Sequence, residues 1–365
     1  MALDRLFNVA RKEFSDHITS RRFIIILGLL LVISAISIHE GIGQYNDSLE
    51  SYTEQLQQMQ EIEDPYSSWM PSKPSIMYVF ISMMSYMTML GGILAIAIGF
   101  DQVSKEKETR SLKTLLSHPL YRDEIINGKA LGGIGALGFA MVLALAIALA
   151  MLLVFSVVPT LDEFAAILIF GAVSLAFLLA YFAVALTMST VSKESGNALI
   201  YTLVIFFAVS SLLPMFGSMA ADAFAGDPPE PPDVSVSKEV VRTVSSSGYY
   251  TSSSSQSVVY GGEEDPAWKE YEEEMKSYVE KRRFISDVSN ILSPQMNYYT
   301  VAMTVTNPQI SAIMYSSYGY DTGQEEPSGL ADALGRVWMN IAALIVFPSV
   351  FFAAAYVKFM RMDIR

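Results

Sequence analysis

The stretch Ala130–Val158 reads ALGGIGALGFAMVLALAIALAMLLVFSVV, and its 29 residues include no Asp, Glu, Lys, Arg or His. A helix needs roughly 20 apolar residues to cross the hydrocarbon core of a bilayer. This stretch is long enough outright, and it sets the reading of five others. Phe23–Ile38, Ser75–Phe100, Phe164–Val191, Ala198–Gly217 and Val337–Val357 are also uncharged, with 16, 26, 28, 20 and 21 residues. Only the first of these is short. Arg21 and Arg22 can snorkel at one of its ends, and His39 can sit at the other interface. The expected fold is an all-α polytopic membrane protein with six transmembrane helices.

Composition agrees. Of 365 residues, 52% are hydrophobic and only 17% charged, where a soluble domain has about a quarter charged. With no cysteine, disulfides, thiolate metal sites and cysteine nucleophiles are excluded. The net charge of −13 argues against a nucleic-acid partner, which needs a basic face. The charge is divided unequally. Six spans put both termini on one side, and that side carries 15 basic and 10 acidic residues; the other side has a net charge of −18. Basic flanks face the cytoplasm, so a multi-pass protein of the cell membrane with cytoplasmic termini is expected.

The segments between spans follow. Residues 1–22 predict an amphipathic interfacial helix, with Leu3, Phe7, Ala10, Phe14 and Ile18 on one face. Spans one to five occupy 23–217, with an outer loop at 39–74, helix-forming over Glu50–Glu63, and a cytoplasmic loop at 101–129. Residues 218–336 form an extracellular insert, expected to be small and mixed α/β. Its strands would lie within Val234–Tyr260, and a helix would begin at Asp265-Pro266. The last span and a cytoplasmic tail fill 337–365.

Chemistry is sparse. Gly128-Lys129-Ala130 is the nearest approach to a phosphate loop, but Asp123 stands where its first glycine belongs and Ala130 where Ser or Thr belongs. His17, His39 and His118 lie beside membrane boundaries or in the cytoplasmic loop, and no metal site is expected. No ionisable group falls inside a span, which disfavours a self-driven, ion-coupled transporter. Small residues four apart, Gly91, Ala95 and Gly99 or Gly128, Gly132 and Ala136, read as helix-packing faces.

The remaining signal is the loop DQVSKEKETRSLKTLLSHPLYRDEIINGK, Asp101–Lys129. Leu112, Leu115 and Leu116 make a short apolar face that Pro119 ends, and Arg122 to Lys129 form a second amphipathic helix leading into span three. Such a segment suits docking to a soluble partner; a solvated loop on the inner leaflet fits the physics equally.

The loop resembles the signature of type-2 ABC transporter permeases, the membrane subunits of type V ABC exporters. The shared residues are Glu106-Lys107-Glu108, Leu115-Leu116-Ser117-His118-Pro119, Arg122 and Gly128-Lys129. The chain departs from the pattern at Thr109-Arg110-Ser111-Leu112, where a glycine is common. The resemblance implies a half-transporter that pairs as a homodimer and docks a separate ATP-binding-cassette ATPase. That partner would bind ATP and Mg, leaving no cofactor in this chain. The coupling residues implied are Glu106, Glu108, Thr109, Leu112, Leu115, Leu116, Pro119, Arg122, Glu124, Gly128 and Lys129, with a smaller contact at 192–197. A substrate path along spans two and five would offer Ser82, Ser85, Thr88, Thr202 and Ser210. The competing expectation is a membrane-anchored binding or assembly protein that acts through its extracellular insert without ATP.

Overall fold

In the computed structural model, residues 2–61, 73–111, 121–232, 242–244, 250–252, 266–307 and 329–362 are described. Each of the six expected spans falls in helix long and apolar enough to cross a membrane. The elements at one end are α1 (Ala2–Ile18) and α2 (Arg21–Glu61). Span two comprises a 3₁₀ turn (Ile76–Val79), α3 (Phe80–Tyr86), a π-helical turn (Met87–Gly91) and α4 (Gly92–Gly99). After the single turn α5 (Ser104–Glu108) come α6 (Arg122–Val154) and α7 (Leu161–Val191). Span five is α8 (Ser195–Phe207), a second π turn (Ala208–Leu212) and α9 (Leu213–Ala225). Then follow α10 (Pro266–Ile291), α11 (Pro294–Thr306), α12 (Leu330–Arg336) and α13 (Trp338–Met360).

The centre of the membrane unit is α7, which packs against α4, α6, α8, α11 and α13. Thr160 and Glu163 start it with a reciprocal cap: Thr160 N donates to Glu163 Oε2 (2.8 Å) and Glu163 N to Thr160 Oγ1 (3.3 Å). Its Phe170, Phe177 and Tyr181 are buried. The stripe of small residues in span two serves this packing. A Cβ on Gly99 would lie 2.7 Å from Ala185 Cβ and 2.9 Å from Phe182 O, so only glycine admits the approach.

The structure differs from the sequence expectation in three places. The helix that begins at Arg21 does not stop at His39; it runs unbroken for 41 residues to Glu61, roughly 60 Å at 1.5 Å per residue. Much of the expected outer loop is therefore a continuation of span one. Second, α11 lies in the region read as extracellular insert, yet it packs on α7 with Tyr298, Val301 and Ala302 buried. Ser293 and Pro294 begin it, with Ser293 Oγ accepting from Met296 N at 3.4 Å. Tyr298 stacks on Phe177 at 4.7 Å between centroids, and its hydroxyl lies 3.0 Å from Ser174 Oγ.

Third, a mixed α/β insert is not supported. The second compact unit runs from Met215 to Ser289 among the described residues. Its described β structure is one antiparallel ladder of three-residue strands, Arg242–Val244 with Tyr250–Ser252. The rest of its described regular structure is helix. Gly217 lets Ser289 approach so closely that a Cβ there would meet it at 2.2 Å, and Arg282 Nε donates to Asp222 Oδ1 at 2.7 Å.

Candidate functional site

Buried charge concentrates at one end of the bundle. Lys129, in the second turn of α6, has a side chain only 2% exposed. Its Nζ donates to Glu13 Oε1 of α1 at 2.9 Å and to Glu106 Oε1 of α5 at 2.7 Å. An ammonium so far from water persists only when paired and hydrogen-bonded. Burial alone would push the Glu13 carboxyl up, but the Lys129 ammonium, with Lys12 beside it, holds it below the usual carboxylate range.

One glycine of the resemblance and two beyond it make this contact possible. A Cβ on Gly128 would lie 2.6 Å from Val9 Cγ1; one on Gly132 would lie 2.6 Å from Glu13 Cβ and 3.0 Å from Ala10 O. Gly135 faces the Phe14 ring. So the small-residue face of α6 receives α1, and Glu13 enters with it. A second anchor is Arg5, whose Nη2 lies 3.0 Å from Glu124 Oε1. Glu124 Oε2 in turn accepts from Tyr121 N at 3.1 Å, closing the first turn of α6.

The Glu106-Lys107-Glu108 run divides its side chains among different helices. Lys107 Nζ donates to the carbonyls of Thr190 (2.6 Å) and Ser192 (2.9 Å), a cation on the C-terminal end of α7. Glu108 Oε2 accepts from Ser195 N (3.2 Å) and Ser195 Oγ (3.0 Å), a carboxylate on the N-terminal end of α8. Arg122 Nη1 donates to Met360 O (3.2 Å) and Met362 O (2.8 Å) at the end of α13. One short segment is thus fastened to α6, α7 and α8, and through Lys129 to Glu13 of α1, and the residue beginning α6 is fastened to α13.

Thr109 Oγ1 donates to Lys105 O at 2.8 Å, and Arg110 then takes φ of 58°. That left-handed conformation costs an L residue about 1–2 kcal/mol, and it falls within the stretch where the resembling pattern has glycine. Arg110→Gly is expected to stabilise the protein by about 0.5–1 kcal/mol after glycine's own entropic cost. A higher unfolding temperature in detergent would show it.

His17 joins the same cluster. Gln102 Nε2 lies 2.9 Å from His17 Nε2, a contact whose direction is set by the imidazole tautomer. Burial pushes the imidazole below its ordinary value against the pull of Glu13 and Asp101. A lowered folded pKa means that stability is full above the unfolded value, about 6.5, and is lost as pH falls below it. Proteolysis of α1 is therefore expected to accelerate between pH 7.5 and 5, and less so in His17→Gln.

Over residues 7–364 the chain matches the family model described as ABC-2 family transporter protein. The chain belongs to the ABC-2 transporter family. No curated protein matches it.

In this ABC-2 family protein, Glu106, Glu108, Thr109, Arg122, Glu124, Gly128 and Lys129 are brought to one end of the bundle. Leu112, Leu115, Leu116 and Pro119 lie outside the described residues. The five hydroxyls proposed for a substrate path do not form one cluster. Thr88 and Thr202 donate to their own helix at Met84 O (2.9 Å) and Ala198 O (2.7 Å). Ser210 lies 2.6 Å from the Tyr181 hydroxyl. Ser82 is half-buried and Ser85 exposed. Thr88 and Ser210 do share one distinction: each sits in a π turn, a feature frequent at functional sites. Sequence reasoning missed Glu13 and Ser195, and it quoted Lys107 without a role.

Proposed function

We propose that this ABC-2 family protein is the membrane half of an ABC exporter, driven by a separate ATP-binding-cassette ATPase that binds ATP and Mg. The observation that carries the reading is the fastening of Glu106, Lys107 and Glu108 to the ends of α6, α7 and α8. A push on the loop between spans two and three would reach four spans through charge-assisted hydrogen bonds, the stronger kind. In this reading the loop end is cytoplasmic, as its excess of basic residues favours. The exposed Phe7 side of α1 rests on the inner leaflet. A second copy completes the path, with spans two and five as its walls. Substrate moves outward as the ATPases close.

The test reads the coupling without needing the substrate. Spin labels at Tyr86 and Phe207, exposed positions on spans two and five, are placed in the complex isolated with its ATPase. ATP with vanadate is expected to change their separation in the parent but not in Glu108→Lys. An unchanged distance in the parent, or the same change in both, contradicts the reading.

A further inference from the structure

The two π turns are joined by a row of side-chain contacts. Gly92 follows the turn in span two, and Phe206 precedes the turn in span five. They stand so close that a Cβ on Gly92 would lie 3.2 Å from Phe206 Cε2. Phe206 packs edge-on against Tyr181 of α7, with 4.7 Å between ring centroids. The Tyr181 hydroxyl then lies 2.6 Å from Ser210 Oγ, inside the second turn. Span four thus links the turns at one level of the bundle.

Each turn also divides its span between different neighbours. In span two, the half before the turn packs on α2, where a Cβ on Gly41 would lie 2.8 Å from Val79 O. The half after the turn packs on α7 through Gly99. The residues that follow are pinned to the same helix: Val103 N and Ser104 N donate to Ser189 Oγ at 2.9 and 3.0 Å. In span five, the half before the turn is pinned to α5 where Glu108 meets Ser195. Soon after the turn comes Pro214, which has no N–H to donate to the helix ladder. The chain leaves the first compact unit at that residue. A π turn closes its hydrogen bonds over one residue more than an α turn. Moving it along the helix rotates only the residues it passes, by about 100° each. In apolar surroundings every backbone group must stay paired, so the shift occurs in whole steps between discrete arrangements.

We propose that the two π turns form one linked register switch. When α7 and the segment through α5 move together, the turn in span two shifts along its helix. Phe206 and Tyr181 carry the shift to the turn in span five. The inference rests on the reading above, that the loop between spans two and three is driven, and it names where spans two and five yield. Removing the extra residue from either turn leaves a continuous α-helix with no register to shift.

Single-residue deletions test this in the complex isolated with its ATPase. Met89 and Ser211 are exposed members of the two turns. Deleting either should leave the rest of its span facing as before, so each variant is expected to unfold within about 4 °C of the parent. The controls are deletions of Ile93 and Leu203, exposed residues in the α-helical parts of the same spans. Deleting Ile93 turns Gly99 away from Ala185 by about 100°, and both controls should lower the unfolding temperature several times more. Spin labels at Tyr86 and Phe207 then read the movement. ATP with vanadate is expected to change their separation in the parent and in neither π-turn deletion. A π-turn deletion as destabilising as its control, or one in which the full change persists, overturns the proposal while the exporter reading stands. A parent whose labels do not move removes that reading and the proposal with it.

Discussion

Replacing Lys129 by Met is expected to destabilise the protein by about 3 kcal/mol, because it takes the shared counter-charge from the buried Glu13 and the half-buried Glu106 and leaves Glu13 only the exposed Lys12 at 3.4 Å. Lys129 is the shared donor to Glu13 and Glu106, and Glu13 is itself buried. The loss should appear as a large fall in the unfolding temperature in detergent. The triple variant Lys129→Met, Glu13→Gln, Glu106→Gln should recover most of it, since it removes the charges together with their partner. A single substitution with no effect would mean that water reaches the triad and the pairing contributes little.

Gly132→Val is the second large effect. Its Cβ would stand 2.6 Å from Glu13 Cβ and 3.0 Å from the Ala10 carbonyl oxygen. A backbone oxygen cannot swing aside as a side chain can. Overpacking of this kind costs about 1–3 kcal/mol, and here it also draws Glu13 away from Lys129. The expected outcome is release of α1: rapid proteolysis within residues 2–18 while the spans stay folded, with Gly138→Val as the control. Gly138 lies in the same helix, and nothing stands within 4 Å of its added Cβ.

The spans were legible because length without charge is an almost sufficient signal for a membrane helix. What interrupts them was not. The π turns at Met87–Gly91 and Ala208–Leu212 are shifts of backbone register, and no side-chain pattern in an all-apolar stretch encodes them. Short α11 was hidden for a different reason. Thirteen residues with Asn297, Thr300 and Thr304 do not look like a buried helix. Asn297 is nevertheless satisfied within the protein: its Nδ2 donates to Ile291 O (2.7 Å) and Ser293 O (3.0 Å), and its Oδ1 accepts from Asn340 (2.8 Å).

At the candidate site, the sequence displayed the pieces and not their pairing. Gly128 and Gly132 were readable as a packing face, but not that α1 would occupy it. Glu13 carried a faint signal, an acid between Ala10 and Phe14 on the apolar side of an amphipathic helix. Its partner lies 116 residues away, a separation that periodicity cannot bridge. Arg110 was the converse case. A large residue within the stretch where the resembling pattern has glycine marked a turn with left-handed backbone, a conformation that Ser156 also takes among the described residues.

The central claim is that a separate ATPase grips the loop between Glu108 and Arg122. It is tested most directly by isolating the tagged full chain from its own membranes and identifying what accompanies it. The expected result is an ATP-binding-cassette ATPase in near-equal amount, with ATP hydrolysis present in the complex and absent from the chain alone. That partner should be lost when Leu112, Leu115 and Leu116 are changed together to Asp. A chain that hydrolyses ATP by itself, or one whose ATPase stays bound after that change, would contradict the account.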